Sequence, residues 1–367
     1  MTHADGLSAW REKLWDAAVA GDEYAATDAA LAALDQDISL ETLLLDVVAP
    51  VQARVGQEWE SNQITVAQEH TATAVNERVL AALAHHPAAR AAAANGPALG
   101  RIAVACIDGE WHAMPARILT EVLRLRGWRI DYLGAQVPTP HLITHLHRTA
   151  CDVVALSSSI PTRLPGAHAA ITACQATGTP VMAGGAAFGP DGLYARLLGA
   201  DAWAADGAAA ADRLAAGPLP RPVAPRQAVD DLPHLDDQEY TMVSRSARSL
   251  VRDVMGGLEE RVPAMAEYTP QQRRHTAEDI LHIVDFLAAA LYVDDPGLFT
   301  RFLTWTAGVL TARGVPAGTL MPALDLLGRR LEDFPRASAL ITHGRDAVRA
   351  AASPTDVTPL PGHGKIA

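Results

Sequence analysis

Residues 108–119 read "DGEWHAMPARIL", directly after the apolar run "RIAVACI". They place Glu110 two residues before His112 in a loop, with Trp111 between them. In a loop, side chains two apart can converge, so the carboxylate can accept the Nδ1 proton of the imidazole. That fixes the tautomer, raises ring basicity and leaves Nε2 as an outward lone pair, as in metal-bound histidines. One imidazole does not hold a free ion tightly, but it suits an axial position on a metal already held by a macrocycle. The alternative for this motif alone is a surface-loop histidine without a ligand.

Other candidate residues end apolar runs of the same kind. "LGAQVP" carries Gly134 and Val137, "SSS" is Ser157, Ser158 and Ser159, and "AGGAAF" carries Gly184 and Gly185. Small and hydroxyl residues there leave a deep slot, with hydroxyls to meet a polar ring nitrogen. Neither G-x-G-x-x-G nor G-x-x-x-x-G-K-[ST] stands at these positions, which removes the main support for nicotinamide or P-loop chemistry.

The elements needed to hold these residues follow from periodicity. Between residues 98 and 216, "RIAVACI", "WRIDYLG", "VVALSSS", "PVMAGG" and "AWAAD" alternate with helical segments. That pattern predicts a doubly wound parallel sheet, which binds ligands outside the carboxyl ends of its strands. Residues 5–88 recur at helical spacing in four segments with short loops, predicting a four-helix bundle in which Pro50 kinks the third helix. Residues 217–233 are Pro-rich and read as a linker. Residues 234–351 are helical again, and 352–367 read as a disordered tail.

Composition narrows the function classes. A net charge of −12 speaks against a broad nucleic-acid-binding face. The three cysteines, Cys106, Cys151 and Cys174, are central and lack metal-ligand spacing, so buried free thiols are expected. The N-terminal residues carry no signal-peptide pattern, and no apolar run reaches transmembrane length, which predicts a cytoplasmic protein away from membranes.

In the last domain, "RRHTAEDILHIVDFLAAALYV" puts His275, Asp279, His282 and Phe286 on one helix face. Two histidines and a carboxylate behind Arg273 and Arg274 suit a ligand with propionates and a conjugated polar interior. A charged solvent stripe, or a haem with one axial histidine, fits the same spacing.

The motifs together resemble a family. "EWHAMP", "SSS" and "AGG" are similar to the D-x-H-x-x-G, Ser-x-Leu and Gly-Gly motifs of cobalamin-binding domains, with Glu110 for the commoner Asp and Pro115 at the usual Gly. Trp59, nine residues, then Glu69-His70 resembles the Trp-x9-Glu-His signature of light-sensing, adenosylcobalamin-dependent repressors. Glu60 stands where those repressors have a cobalt-binding histidine, leaving His70 as the nearest substitute. The order of helical cap, cobalamin domain and helical globin-like domain resembles the photocobilins, here without a diguanylate cyclase segment. The resemblance implies a photoreceptor, not an enzyme. In it His112 is the lower cobalt ligand of adenosylcobalamin, with Trp59, Glu69 and His70 near the upper face. Light-driven Co–C cleavage would change domain arrangement or oligomeric state. It further implies biliverdin in the C-terminal domain, bound non-covalently because no cysteine follows residue 174. Tyr268, Arg274, His275, His282, Tyr292 and Trp305 are the candidate contacts. The expected partners are cobalamin, bilin and further copies of the chain, with no direct nucleic-acid contact because the chain starts at the bundle and is acidic. A corrinoid protein carrying methyl groups between methyltransferases is the alternative.

Overall fold

A computed structural model describes residues 3–94, 99–229 and 232–352. The described residues form two compact units, the first within 3–240 together with 292–294 and the second within 241–291 together with 295–352. The tail expected at 352–367 lies outside the described residues except for residue 352.

The first unit opens with helices α1 (His3–Ala20) and α2 (Glu23–Leu34), the latter capped by Asp22. A third helix begins as α3 (Leu40–Leu43), with the Ser39 hydroxyl accepting from the Thr42 N–H. It passes through a π-helical stretch, Leu44–Val48, and continues as α4 (Ala49–Glu60). Pro50 has no N–H for the Asp46 carbonyl four residues back, so an ordinary helix loses one bond there. The π stretch directly precedes it, and Arg11 Nε donates to the stranded Asp46 carbonyl. The Thr65–Gln68 capping box starts α5 (Val66–His85), and the short α6 (Pro87–Ala94) follows at the domain junction. Helices α1, α2, α4 and α5 pack on one another.

The same unit holds β1 (Arg101–Cys106), α7 (Met114–Leu125), β2 (Arg129–Gly134), α8 (Thr139–Thr149), β3 (Val153–Ser157), α9 (Leu164–Ala176), β4 (Val181–Gly184), α10 (Leu193–Leu197), β5 (Ala202–Ala204) and α11 (Gly207–Ala215). All strand pairs are parallel, in the order β2-β1-β3-β4-β5. Strand order reverses between β1 and β3, so a crevice opens beyond their carboxyl ends. One face of the sheet shares a continuous apolar core with α7, α11 and the N-terminal helices, including Val48, Val79, Val104, Val122 and Ala155. Arg126, at the end of α7, fixes this junction by contacting both Glu41 carboxylate oxygens, at 2.6 and 2.8 Å.

Residues 217–229 differ from a free linker. Arg226 N–H donates to Gln175 on α9 (3.0 Å), its guanidinium reaches buried Asp201 (2.5 Å), and the Gln227 carbonyl bonds His168 Nε2 (3.0 Å). The proline content limits backbone N–H donors, but side chains and carbonyls still anchor the segment.

The second unit is helical: α12 (Glu239–Arg261), α13 (Pro270–Val293), α14 (Pro296–Ala312), α15 (Met321–Arg330) and α16 (Pro335–Ala352). Gly344 on α16 lets α14 approach closely, since an added Cβ would lie 2.5 Å from Leu303 Cδ1 and 2.9 Å from Phe299 Cε1. No helix among the described residues is long and apolar enough to cross a membrane. Gly344→Val is expected to lower the stability of this unit by about 1–3 kcal/mol through overpacking. Denaturant unfolding followed by circular dichroism checks it: an unchanged midpoint contradicts the close approach.

Candidate functional site

The loop after β1 is held from both sides of the crevice. Ile107 N–H donates to the Ser157 carbonyl (3.1 Å), and Gln136 and Val137 N–H donate to the Glu110 and Cys106 carbonyls (3.0 and 3.2 Å). At its centre Glu110 is 1% exposed. Its Oε1 accepts from His112 N–H (2.9 Å) and lies 2.6 Å from His112 Nδ1. Its Oε2 accepts from the Ser158 hydroxyl (3.2 Å) and from the Ser159 and Ile160 N–H groups (2.7 and 3.2 Å). A buried carboxylate saturated by donors is stable as the anion. Burial alone would push Glu110 up, but the His112 and Ser159 hydrogen bonds and the His112 charge bring it down to about 2.

With Nδ1 engaged, His112 presents Nε2 away from Glu110, and its side chain is 57% exposed. The hydrogen bond to Glu110 raises its pKa above the ordinary histidine value, against the opposing effect of burial. The charge of Glu69 adds to the rise.

Glu69 itself is positioned by a polar chain that sequence patterning missed. Asn76 donates to Gln52 (2.9 Å), Gln52 to Thr73 (3.0 Å) and Thr73 to Glu69 Oε1 (3.3 Å). The available signal was the polar stripe at residues 69, 73 and 76, one face of α5. His70 is exposed, with Nδ1 2.5 Å from Glu69 Oε2. Trp59 is half-buried against the apolar core, while Trp111 stands 72% exposed beside His112.

The remaining candidates divide. Ser158 is fully buried and its hydroxyl turns to Glu110, so it supports the carboxylate instead of reaching a ring nitrogen. Ser157 is also buried, and Ser159 contributes its backbone N–H. Gly134 has open space where a Cβ would stand. Gly184 pairs with Ser157 across the sheet. Gly185 has φ +97°, and a Cβ there would lie 2.3 Å from the Ser158 carbonyl oxygen, so the β4 turn needs glycine to pass the Ser158 backbone. Among the C-terminal candidates, Arg274, His275 and His282 are exposed on α13, Tyr268 is half-buried, and Trp305 is exposed near stacked Phe286 and Phe302. Tyr292 does not join them: it is buried, bonds His168 Nδ1 through its hydroxyl (2.8 Å) and packs edge-on against Tyr240.

The imidazole and its buried carboxylate suit a metal already held by a macrocycle: one neutral nitrogen donor and an anionic orienting partner. Comparison with known proteins agrees. Residues 10–84 match the family described as B12 binding domain, and residues 100–215 match a second family of the same description. Each of these two segments is therefore similar to B12-binding domains. The HTH-type transcriptional repressor CarH of Myxococcus xanthus is 32% identical over 189 residues, covering 48% of this chain. The match spans 58% of that repressor's length. Two solved structures are also similar. The monomethylamine corrinoid protein of Methanosarcina barkeri has 20% identity and TM-score 0.49, over 56% of this chain and 97% of its own. The methanol:cobalamin methyltransferase complex MtaBC of the same organism has 16% identity and TM-score 0.33, over 60% and 87%.

Glu110→Gln replaces an acceptor-only group by one carrying N–H donors, facing donors. It is expected to lower stability by about 1–3 kcal/mol and weaken cobalamin binding about 10–100-fold. Calorimetric titration together with an NMR titration of His112, whose pKa should fall in the variant, checks this. In the parent protein the Glu110 contribution is present above pH 4.5 and is lost as pH falls toward about 2. Gly185→Ala should unfold or distort the β3–β4 edge. An unaltered melting curve and unaltered cobalamin affinity in that variant would remove the close-approach argument.

Proposed function

We propose that this chain is a light-responsive receptor that binds adenosylcobalamin with His112 beneath the cobalt and the nucleotide base displaced. The carrying observation is the buried Glu110 that takes five hydrogen bonds and engages His112 Nδ1, which leaves Nε2 available. When bound, the cofactor supplies a cobalt–carbon bond that visible light breaks.

The protein's part is positional. Glu110 keeps a proton on Nδ1, so neutral His112 offers Nε2 as a donor. Protonated His112 has no lone pair to give, and its pKa is raised, so ligation strengthens as pH rises through that value. Trp59 is large and apolar enough to screen the upper face from water. Glu69, fixed through Thr73, Gln52 and Asn76, would accept hydroxyl hydrogen bonds from the cofactor. Contacts from Trp59 and Glu69 would be the ones to change if that group altered, because both residues belong to the N-terminal helices. The equilibrium between helix and sheet arrangements then shifts by the difference in contact energy between the two states. His70 is close enough to Glu69 to compete for it once the upper ligand leaves. A change in oligomeric state is the proposed output.

The C-terminal helices are proposed as a second, non-covalent site for biliverdin in a globin-like arrangement. Exposed His275, His282 and Arg274, with Tyr268 and Trp305, are its contacts. Tyr292 is assigned to structure and not to this ligand. The Trp59-to-His70 spacing and the likeness to the repressor support the light-sensing reading over a methyl carrier.

Full-length protein loaded with adenosylcobalamin in the dark should show a histidine-ligated cobalt spectrum. Green light should change that spectrum and the mass measured by light scattering. His112→Ala should lose the histidine-type spectrum. Identical mass before and after illumination contradicts the receptor reading, and methyl transfer from bound methylcobalamin to a thiol favours the carrier. Biliverdin should add a far-red band that His275→Ala and His282→Ala weaken; a Soret band with haem and none with biliverdin overturns the bilin site.

A further inference from the structure

A second cluster of ligand-type side chains lies beside α8, on the face of the sheet that the N-terminal helices leave uncovered. On edge strand β2, Ile130 and Tyr132 pack on the core shared with the N-terminal helices. Alternation therefore turns Asp131 to the side covered by α8. Helix α8 presents His145 there, with Nε2 2.8 Å from Asp131 Oδ2. The helix ends at Ala150, whose φ of +48° turns the chain back and brings buried Cys151 under the same carboxylate, Sγ 3.8 Å from Oδ2. Ligand atoms of all three residues lie within 4.8 Å of one another.

Imidazole, carboxylate and thiol form a mixed donor set of the kind that selects zinc among available divalent ions. A tetrahedral zinc ion keeps such atoms about 3.3–3.6 Å apart. The His145–Asp131 contact needs to open by about half an ångström, and the Cys151–Asp131 contact to close slightly, to reach those separations. An open cavity of about 640 Å³ adjoins the cluster, and its lining includes His141, His145, Thr149 and the cationic Arg148. It offers an entry path for a hydrated ion. His141 stands one helical turn before His145, the spacing at which two histidines on one helix share a metal.

We propose that Asp131, His145 and Cys151 form a zinc-binding site, with His141 or water as fourth ligand. Binding expels one proton, that of the Cys151 thiol. Coordination through Nε2 requires the His145 proton to sit on Nδ1. The ion, thiolate and carboxylate then sum to zero charge. Arg101 is the competitor: its Nε lies 3.6 Å from Asp131 Oδ2, and its positive charge opposes a cation there.

The test uses tag-free, full-length protein without corrinoid. Zinc is titrated in competition with a chromophoric zinc indicator, and cadmium serves as an optical probe of thiolate ligation. One site is expected, with release of one proton per ion and an ultraviolet thiolate-to-cadmium band. Cys151→Ser should abolish the band. His145→Gln should weaken zinc binding at least about tenfold, and Arg101→Gln should tighten it. His145 is half-buried on a helix surface, so its variant decides the matter if Cys151→Ser does not fold by circular dichroism. Absence of the cadmium band in the parent protein overturns the proposal, as does parent-like zinc affinity in folded His145→Gln.

Discussion

One carboxylate joins two strands' loops at the place where the sheet reverses its order. Glu110 belongs to the loop after β1, yet three of its five donors, the Ser158 hydroxyl and the Ser159 and Ile160 N–H groups, come from the segment after β3. The other two are the backbone and ring nitrogens of His112. A buried anion without donors would be costly and would protonate instead. Here the donors keep it charged, and the charge in turn sets the orientation and basicity of the imidazole. The His112 imidazole is thus positioned by a buried contact that ties its loop to the segment after β3.

This arrangement depends on the layers behind it. The β4 turn can pass the Ser158 backbone only because Gly185 has no Cβ. The Ser158 N–H meanwhile bonds the Gly184 carbonyl, and the Ser158 carbonyl receives Ala187 N–H. On the other side, the shared apolar core and the Arg126–Glu41 pair hold the N-terminal helices against α7, which starts directly after His112. Glu69 thereby comes near enough to influence the imidazole. The segments at 10–84 and 100–215 are thus joined through one continuous apolar core.

Much of this was legible in the residues. The alternation of apolar runs with helical segments specified the parallel sheet, because strands buried on both faces must be apolar throughout. Two-residue spacing in a loop paired Glu110 with His112. Other features were hidden because they depend on non-local geometry. The hydroxyl of Ser158 looks available in the sequence, and only the β1–β3 adjacency turns it to Glu110. Tyr292 sits in a promising helix, but its partner His168 is 124 positions away in the chain. Pro50 signals a helix defect without saying which kind; the π stretch and Arg11 are tertiary solutions to it. Prolines in 217–229 suggested a free linker, whereas anchors on Gln175, Asp201 and His168 cannot be read locally.

The most direct test of the central claim is electron paramagnetic resonance of the protein loaded with cob(II)alamin, prepared with ordinary histidine and with histidine carrying heavy nitrogen. If the imidazole held by Glu110 lies beneath the metal, the nitrogen splitting of the cobalt signal changes from triplet to doublet on labelling. A triplet that persists in the labelled protein means that the cofactor has kept its own base, and the Glu110–His112 pair then has another role.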